Sequence, residues 1–280
     1  MNRVKNIYFY IILLNIIFYG CKPTALIKES EYLLQKNKIN INKKGLNKDE
    51  IKGYIKQQPN RKIIGFFKFH LNVYNLGCKS FPEDIELKLK NTPIIKKYVD
   101  NILKFDSIYK YNLRTIIGEP PVILDTNLAI ATSKQIQLYL QNKGYFNSDI
   151  KVKFNLKNKK AQVTYIINVT SPYYIENVAY LSTDPIIKSL LLGSQSNSHL
   201  KKGNIYDVDN FEAERNRITS MLKNEGYYLF SKEYITFKID TNNLNKKMNV
   251  EVLIKNPSVK AIENKDSIIF LPHKRFKINK

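Results

Sequence analysis

Along the chain the apolar positions first run together, then recur at helical spacing, then alternate. Ile7 to Tyr19 forms an apolar block broken only at Asn15 and preceded by Arg3 and Lys5. A membrane-spanning helix needs about 20 apolar residues, so the block is too short for one, and residues 1–20 read as a secretory signal peptide. A polar, Lys/Asn-rich stretch follows to about Lys48, with one strand near Tyr32 to Ile41. Ile51, Tyr54 and Ile55 recur at helical spacing in a segment from Asp49 to Gln58 that stops before Pro59, because proline disfavours a helical conformation in the residue before it. Phe67, Phe69, Leu71 and Val73 alternate with polar residues, the pattern of a half-buried strand. Ser80 to Phe105 reads as two helical pieces, opened by Pro82 and by Thr92-Pro93, since proline suits a first helical position.

Beyond Gly118 the pattern becomes regular. "GEPPVILD" cannot be helical across two prolines and reads as a turn feeding a short strand. Thr132 with Gln135 forms a capping-box signature, with Ile136, Tyr139 and Leu140 on one face of the helix it starts. "DIKVKFNL" and "KAQVTYIINV" then alternate as two strands around Asn158. The order restarts with "YYIENVAYL" as a strand, Pro185 to Leu192 as a short helix, and a helix whose cap is Asp209 with Glu212. "YITFKID" and "MNVEVLIK" close it as a strand pair. Each copy ends its second helix on the same phrase, "QNKGYF" and "KNEGYY", with Gly144 and Gly226 standing 82 residues apart. A helix commonly stops on a residue in the left-handed conformation, where a Cβ costs about 1 kcal/mol or more. Gly144 and Gly226 are therefore structural helix ends, and Tyr145 and Tyr227 turn back onto the sheet as core aromatics. The fold class expected is α+β, built of tandem β-α-α-β-β modules with mixed open sheets under two helices.

Composition shifts the picture little. With 43% hydrophobic residues the chain has the material for a globular core. The formal charge of +22 suggests a polyanion or an anionic membrane surface. The lysines are dispersed through a chain rich in Asn, Ile, Tyr and Phe, so a composition biased towards AT-rich codons explains the charge more simply. Two cysteines are present, Cys21 and Cys78. "FYGCKP", with Gly20 before Cys21, resembles the lipobox of bacterial lipoproteins, in which the cysteine is acylated and becomes the mature N-terminus. Phe18 and Tyr19 depart from that motif, and the alternative is a signal peptide cleaved elsewhere with Cys21 a buried thiol. A multiply acylated cysteine anchors stably, each buried CH2 contributing about 0.8 kcal/mol, and it leaves no partner for a disulfide with Cys78.

The module order with Gly-Tyr closing the second helix resembles polypeptide-transport-associated (POTRA) domains of the outer-membrane barrel-assembly, or bacterial surface antigen, superfamily. "GEPPVILD", "TSKQIQLYLQNKGYF", "PYYIENVAY", "LKKGNIYDVDNFEAERNRI" and "NEGYYLFSKEYITFKID" are most similar to its lipoprotein, TamL-type branch. The resemblance covers 118–255 well and the earlier part loosely. It implies this division: a signal peptide at 1–20, a lipidated N-terminus and spacer at 21–48 that can include a first strand, and a weak first module at 49–77. A helical connector at 78–108 follows, then modules at 109–170 and 171–256, and a linker with the start of a further module at 257–280. The family continues into a β-barrel whose alternating segments are not found here, while Phe276-Lys-Ile278 parallels Tyr173-Tyr-Ile175. A truncated gene product and a genuine barrel-less protein both fit.

The resemblance further implies an outer-membrane lipoprotein whose modules face the periplasm. Its partners are outer-membrane or exported protein clients and an inner-membrane assembly partner, taken up by strand addition on open sheet edges; an anionic membrane surface is a further partner suggested by charge. Two other readings stay open, a lipoprotein spacer or envelope interaction module without clients, and a polyanion or nucleic-acid binder. A working signal peptide would exclude the last. His70, His199 and His273 are far apart, and no catalytic elbow, phosphate loop or zinc motif occurs. No catalytic residue, metal or cofactor is expected. Glu214, Arg215 and Arg217 are expected on a solvated helix face.

Overall fold

A computed structural model describes residues 23–43, 46–63, 67–78, 107–242, 244–260 and 268–276. The chain divides into two compact units, one of residues 1–41, 45–134 and 150–167 and one of 42–44, 135–149 and 168–280. The fold class is α+β, with two three-stranded mixed sheets.

In the first unit β1 (Leu33–Ile41) runs parallel to β3 (Lys160–Asn168), which is flanked on its other side by β2 (Asp149–Lys157), in the order β1-β3-β2. Asn158 and Lys159, at φ 51° and 56°, make the two-residue turn between β2 and β3, the geometry that suits a tight hairpin. Ala161, Val163, Tyr165 and Ile167 alternate as the buried positions of β3. Leu33 is buried with Ile27 and Leu71 against Ile123. The first strand of this sheet thus comes from upstream of residue 49, not from the segment 109–170. Residues 107–112 are helical and run into a π-helical turn at Leu113–Ile117.

Three expectations here need correction. Helix α1 covers Lys48–Gly53 only, capped by the Asn47 side chain, and the chain is already non-helical before Gln58. The alternating stretch after Phe67 is no strand: Phe69–Gly77 is helix α2. Its buried stripe is Lys68, Leu71 and Asn75, a helical i, i+3, i+7 spacing that polar residues disguise. Helix α3 spans Thr126–Asn142 and starts well before the Thr132 capping box. Asp125 caps it, its carboxylate accepting from the N–H groups of Asn127 (2.8 Å) and Leu128 (3.2 Å). Thr132 lies mid-helix and fully buried, donating to Leu128 O (2.9 Å) and accepting from Lys56 N–H (3.1 Å). The two helical pieces expected over 80–105 lie outside the described residues.

The second unit holds β4 (Tyr174–Ser182), α4 (Pro185–Gly193), α5 (Val208–Asn224), β5 (Ile235–Asn242) and β6 (Lys247–Ile254). Its sheet order is β4-β6-β5, with β4 parallel and β5 antiparallel to β6. Asp184 caps α4, with Pro185 at its first position. Asp207, two residues before the expected Asp209, caps α5. Ile187 and Leu191 of α4, Phe211, Ile218 and Leu222 of α5, and Met248, Val250, Val252 and Ile254 of β6 form one core. A short hairpin, β7 (Ser258–Lys260) with β8 (Ile268–Phe270), follows.

The two sheets repeat in detail. Leu33 and Tyr174 each form an antiparallel bridge, to Ile123 and Ile205. Each first strand shifts register just after it, at Leu34/Lys36 and at Ile175/Asn177. The bridge residues Ile123 and Ile205, the caps Asp125 and Asp207, the 17-residue helices α3 and α5, and Gly144 and Gly226 all keep the same 82-residue offset.

Candidate protein-binding edges

In a three-stranded sheet both outer strands present backbone N–H and C=O groups with no partner in the sheet. Here these strands are β1 and β2, and β4 and β5. The start of each first strand is covered by the segment that leads into the long helix. Leu34 N–H donates to Val122 O and Leu124 N–H to Tyr32 O, both at 2.8 Å. Likewise Ile175 N–H donates to Asn204 O (2.8 Å) and Tyr206 N–H to Tyr173 O (2.9 Å). Beyond these covers each edge borders a groove.

The groove beside β1 holds about 740 Å³ and runs along residues 35–40, with α1 and residues 58–62 as its wall. Two side chains fix that wall. Asn60, 1% exposed, donates from Nδ2 to Pro120 O (2.8 Å) and accepts from Val122 N–H (3.0 Å). Gln57 donates to Ile123 O (2.7 Å) and accepts from Asp125 N–H (3.1 Å). Asn37 reaches across from β1 to donate to Gln57 O at 2.8 Å. Ahead of the groove-lining positions of β1, buried Lys68 donates to Leu34 O at 3.3 Å, and burial lowers its ammonium from 10.5 to about 8.

The groove beside β4 holds about 450 Å³, bounded by Glu176, Asn177 and Val178 and by the loop carrying Gln195, Ser196, Leu200, Lys201 and Lys202. A buried polar network anchors that loop, and it corrects the expectation of a solvated helix face. Glu214 is fully buried. Its Oε1 accepts from Tyr180 Oη (2.8 Å) and Arg217 Nη2 (2.6 Å), and its Oε2 from His199 N–H (2.9 Å) and Arg217 Nε (3.0 Å). Tyr180 Oη also lies 2.7 Å from Ser198 Oγ, and Arg217 reaches Ser194 Oγ at 3.1 Å. Burial alone would raise the Glu214 carboxyl, but these donors hold it below its ordinary value. Burial, with the facing carboxylate, pushes Tyr180 up to about 12. Helical spacing on α5 could not disclose this network, because Tyr180 and His199 come from a strand and a loop.

The paired glycines adopt the conformation that a side chain disfavours, Gly144 at φ +85° and Gly226 at φ +96°. Each carbonyl takes the amide of an arriving segment: Tyr173 N–H donates to Gly144 O (3.0 Å) and Phe276 N–H to Gly226 O (2.9 Å). A Cβ on Gly144 would lie 2.7 Å from Tyr206 O, and one on Gly226 would run into Phe276 O. The preceding residue adds an ionic clasp in both places. Lys143 pairs with Asp207 (3.0 Å) and Asp209 (2.8 Å); burial opposes its charge, but the two carboxylates raise it above its ordinary value. Glu225 pairs with Arg275 at 3.0 Å. Tyr227 is buried in the core of the second unit, whereas Tyr145 is half-buried with the Lys43 ammonium 5.1 Å from its ring centroid.

Cys21 lies outside the described residues, and Cys78 is a half-buried free thiol. His70 stands on α2, not on a strand, with Nδ1 2.7 Å from Ile117 O. His273 packs between Phe230 and Tyr234. Among the described residues no group of His, Cys, Asp or Glu is placed to hold a metal ion, and no helix is long and apolar enough to cross a membrane.

Residues 100–170, the stretch that carries α3, β2 and β3, match one family model. It is the POTRA model, described as surface antigen variable number repeat. No curated protein matches the chain. Among solved structures, the chain is similar to POTRA3-5 of BamA from Haemophilus influenzae, with 13% identity and a TM-score of 0.36 over 82% of this chain and 69% of that one. POTRA1-2 of the periplasmic domain of Omp85 from Anabaena gives 11% identity and a TM-score of 0.31 over 80% and 96%. CdiB from Escherichia coli gives 9% and 0.30 over 85% and 30%.

Proposed function

We propose that the chain is a periplasm-facing POTRA scaffold of an outer-membrane protein assembly or translocation lipoprotein, which binds client or partner segments by strand addition. The observation that carries this reading is the POTRA match over 100–170, on a helix and a hairpin that pairs with the upstream strand β1, in an arrangement that recurs in the second sheet with open outer strands. Strand addition draws affinity from main-chain hydrogen bonds and only loose specificity from side-chain pockets, which suits a scaffold that handles many clients. We assign the scaffold no catalysis, no metal and no cofactor.

On this reading one module runs from β1 to β3, with a long insertion after its first strand, and a second from β4 to β6. The Phe276–Gly226 hydrogen bond repeats the Tyr173–Gly144 one, which supports Phe276 as the opening residue of a further strand. Acylated Cys21 would hold the modules at the membrane. Two experiments test the proposal. Photo-crosslinking from an outer-edge position such as Asn40 or Thr241 in cells should trap outer-membrane or exported proteins, and recovery of no envelope protein at any edge would refute client binding. Acyl labelling should mark the wild type and be lost in Cys21→Ala; an unlabelled wild type would refute the anchor alone.

A further inference from the structure

We infer that the β1 edge is the strand-accepting site of this scaffold and that its occupant is an extended acidic peptide segment. The inference rests on the strand-addition reading and names the partner's chemistry. No acidic side chain lines the β1 groove, while Lys36, Lys38, Lys48, Lys52, Arg61 and Lys62 do. Lys52 is paired with Asp49 (2.6 Å) and Arg61 with Glu119 (3.5 Å). Among the described residues Lys36, Lys38, Lys48 and Lys62 have no ion pair.

The outer strands of the second sheet each carry a local ion pair. On β4, Glu176 pairs with Lys247 at 2.6 Å, and on β5, Lys238 pairs with Glu251 at 3.3 Å. The cations are also placed where a strand could use them. Lys36 and Lys38 stand exposed on the same side of β1, matching the two-residue period of a paired strand's side chains. Lys48 and Lys52 are one turn apart on α1 and face the same way. The six positions 35–40 span about 20 Å at roughly 3.3 Å per residue, room for a short extended segment.

The wall has a further peculiarity. The stretch between the bridge partners Leu33 and Ile123 is far longer than that between Tyr174 and Ile205, and residues 46–62 within it carry α1 and four of the lining cations, Lys48, Lys52, Arg61 and Lys62. The charged groove is thus an addition to a module plan that otherwise repeats closely.

The test uses the full chain in detergent micelles and fluorescence anisotropy. The probe is a short fluorescein-labelled peptide alternating Glu with Val, beside its Lys-for-Glu counterpart and a version with every backbone amide N-methylated. The Glu peptide should bind, and the double variant Lys36→Glu/Lys38→Glu should weaken it about tenfold or more, a loss of about 1.4 kcal/mol. Lys201→Glu/Lys202→Glu, in the β4 groove, should leave affinity within about twofold, and the N-methylated peptide should not bind. Equal binding of the Lys peptide, undiminished binding of the N-methylated one, or an equal loss in the β4-groove variant would each overturn the inference. If clients still crosslink at Thr241 while peptide binding ignores charge, the general reading stands and this one falls. If no edge takes any strand, both fall.

Discussion

Replacing Glu214 by Gln preserves volume and removes one charge from a fully buried position. Both carboxylate oxygens accept two donors each, Tyr180 Oη and Arg217 Nη2 at one, His199 N–H and Arg217 Nε at the other. An amide has one acceptor oxygen, so in either orientation its NH2 group faces two donors. Hydrogen bonds to a charged group contribute about 1.5–3 kcal/mol, and removing one partner of a buried ion pair typically costs about 3–5 kcal/mol. The Arg217 side chain keeps 14% exposure and can recover some hydration, so the expected loss lies at the low end, about 3 kcal/mol. Urea unfolding at pH 7.5, followed by circular dichroism because the chain has no tryptophan, measures it. The sign with pH is fixed by the depressed Glu214 carboxyl. Its contribution is complete above the ordinary glutamate value and disappears as pH falls from there through the lower folded value. The gap between wild type and variant should therefore close in acid. A loss below about 1 kcal/mol at pH 7.5, or a gap that persists unchanged at low pH, would refute the reasoning.

Gly226→Ala forces a Cβ into the left-handed region, at about 1 kcal/mol, and against Phe276 O; hydrogen exchange at the Phe276 amide should quicken, and unchanged protection would count against the clasp. Lys68→Met removes a buried ammonium lowered to about 8. Between that value and 10.5 the unfolded chain binds a proton that the folded chain does not, so wild-type stability rises with pH there. The variant should be more stable near pH 7 by about 2 kcal/mol, the burial penalty of about 3 less about 1 for the lost bond to Leu34 O. The advantage should vanish above pH 10.5, and equal pH profiles in urea titrations would contradict it.

The strands β2, β3, β5 and β6 were legible because apolar and polar residues alternate along their sequences, as Ala161, Val163, Tyr165 and Ile167 do with their neighbours on β3. Helix ends were less so. Asp125 and Asp207 cap from within turns, and the better-looking capping boxes at Thr132 and Asp209 sit inside the helices. Helix α2 escaped notice because its buried stripe contains Lys68 and Asn75, which hydropathy counts as outward. The parallel pairing of β1 with β3 joins residues far apart in sequence, and nothing local announces it. The same distance hid Asn60 and Gln57, whose roles exist only once residues 120–125 arrive beside them.

The formal charge of +22 has different meanings in different places. On β4 and β5 cations face carboxylates a strand or less away, and such exposed pairs contribute little, about 0–1 kcal/mol each. Dispersed lysine of that kind is compatible with compositional bias and needs no partner. Along β1 the same residue type accumulates without acidic company, in a groove whose wall is extra chain and whose floor is an open strand edge. Bias in composition supplies lysines everywhere, but it does not explain why acidic side chains are missing from the lining of this strand-edge groove, and an acidic strand seated there would answer both its charge and its unpaired backbone.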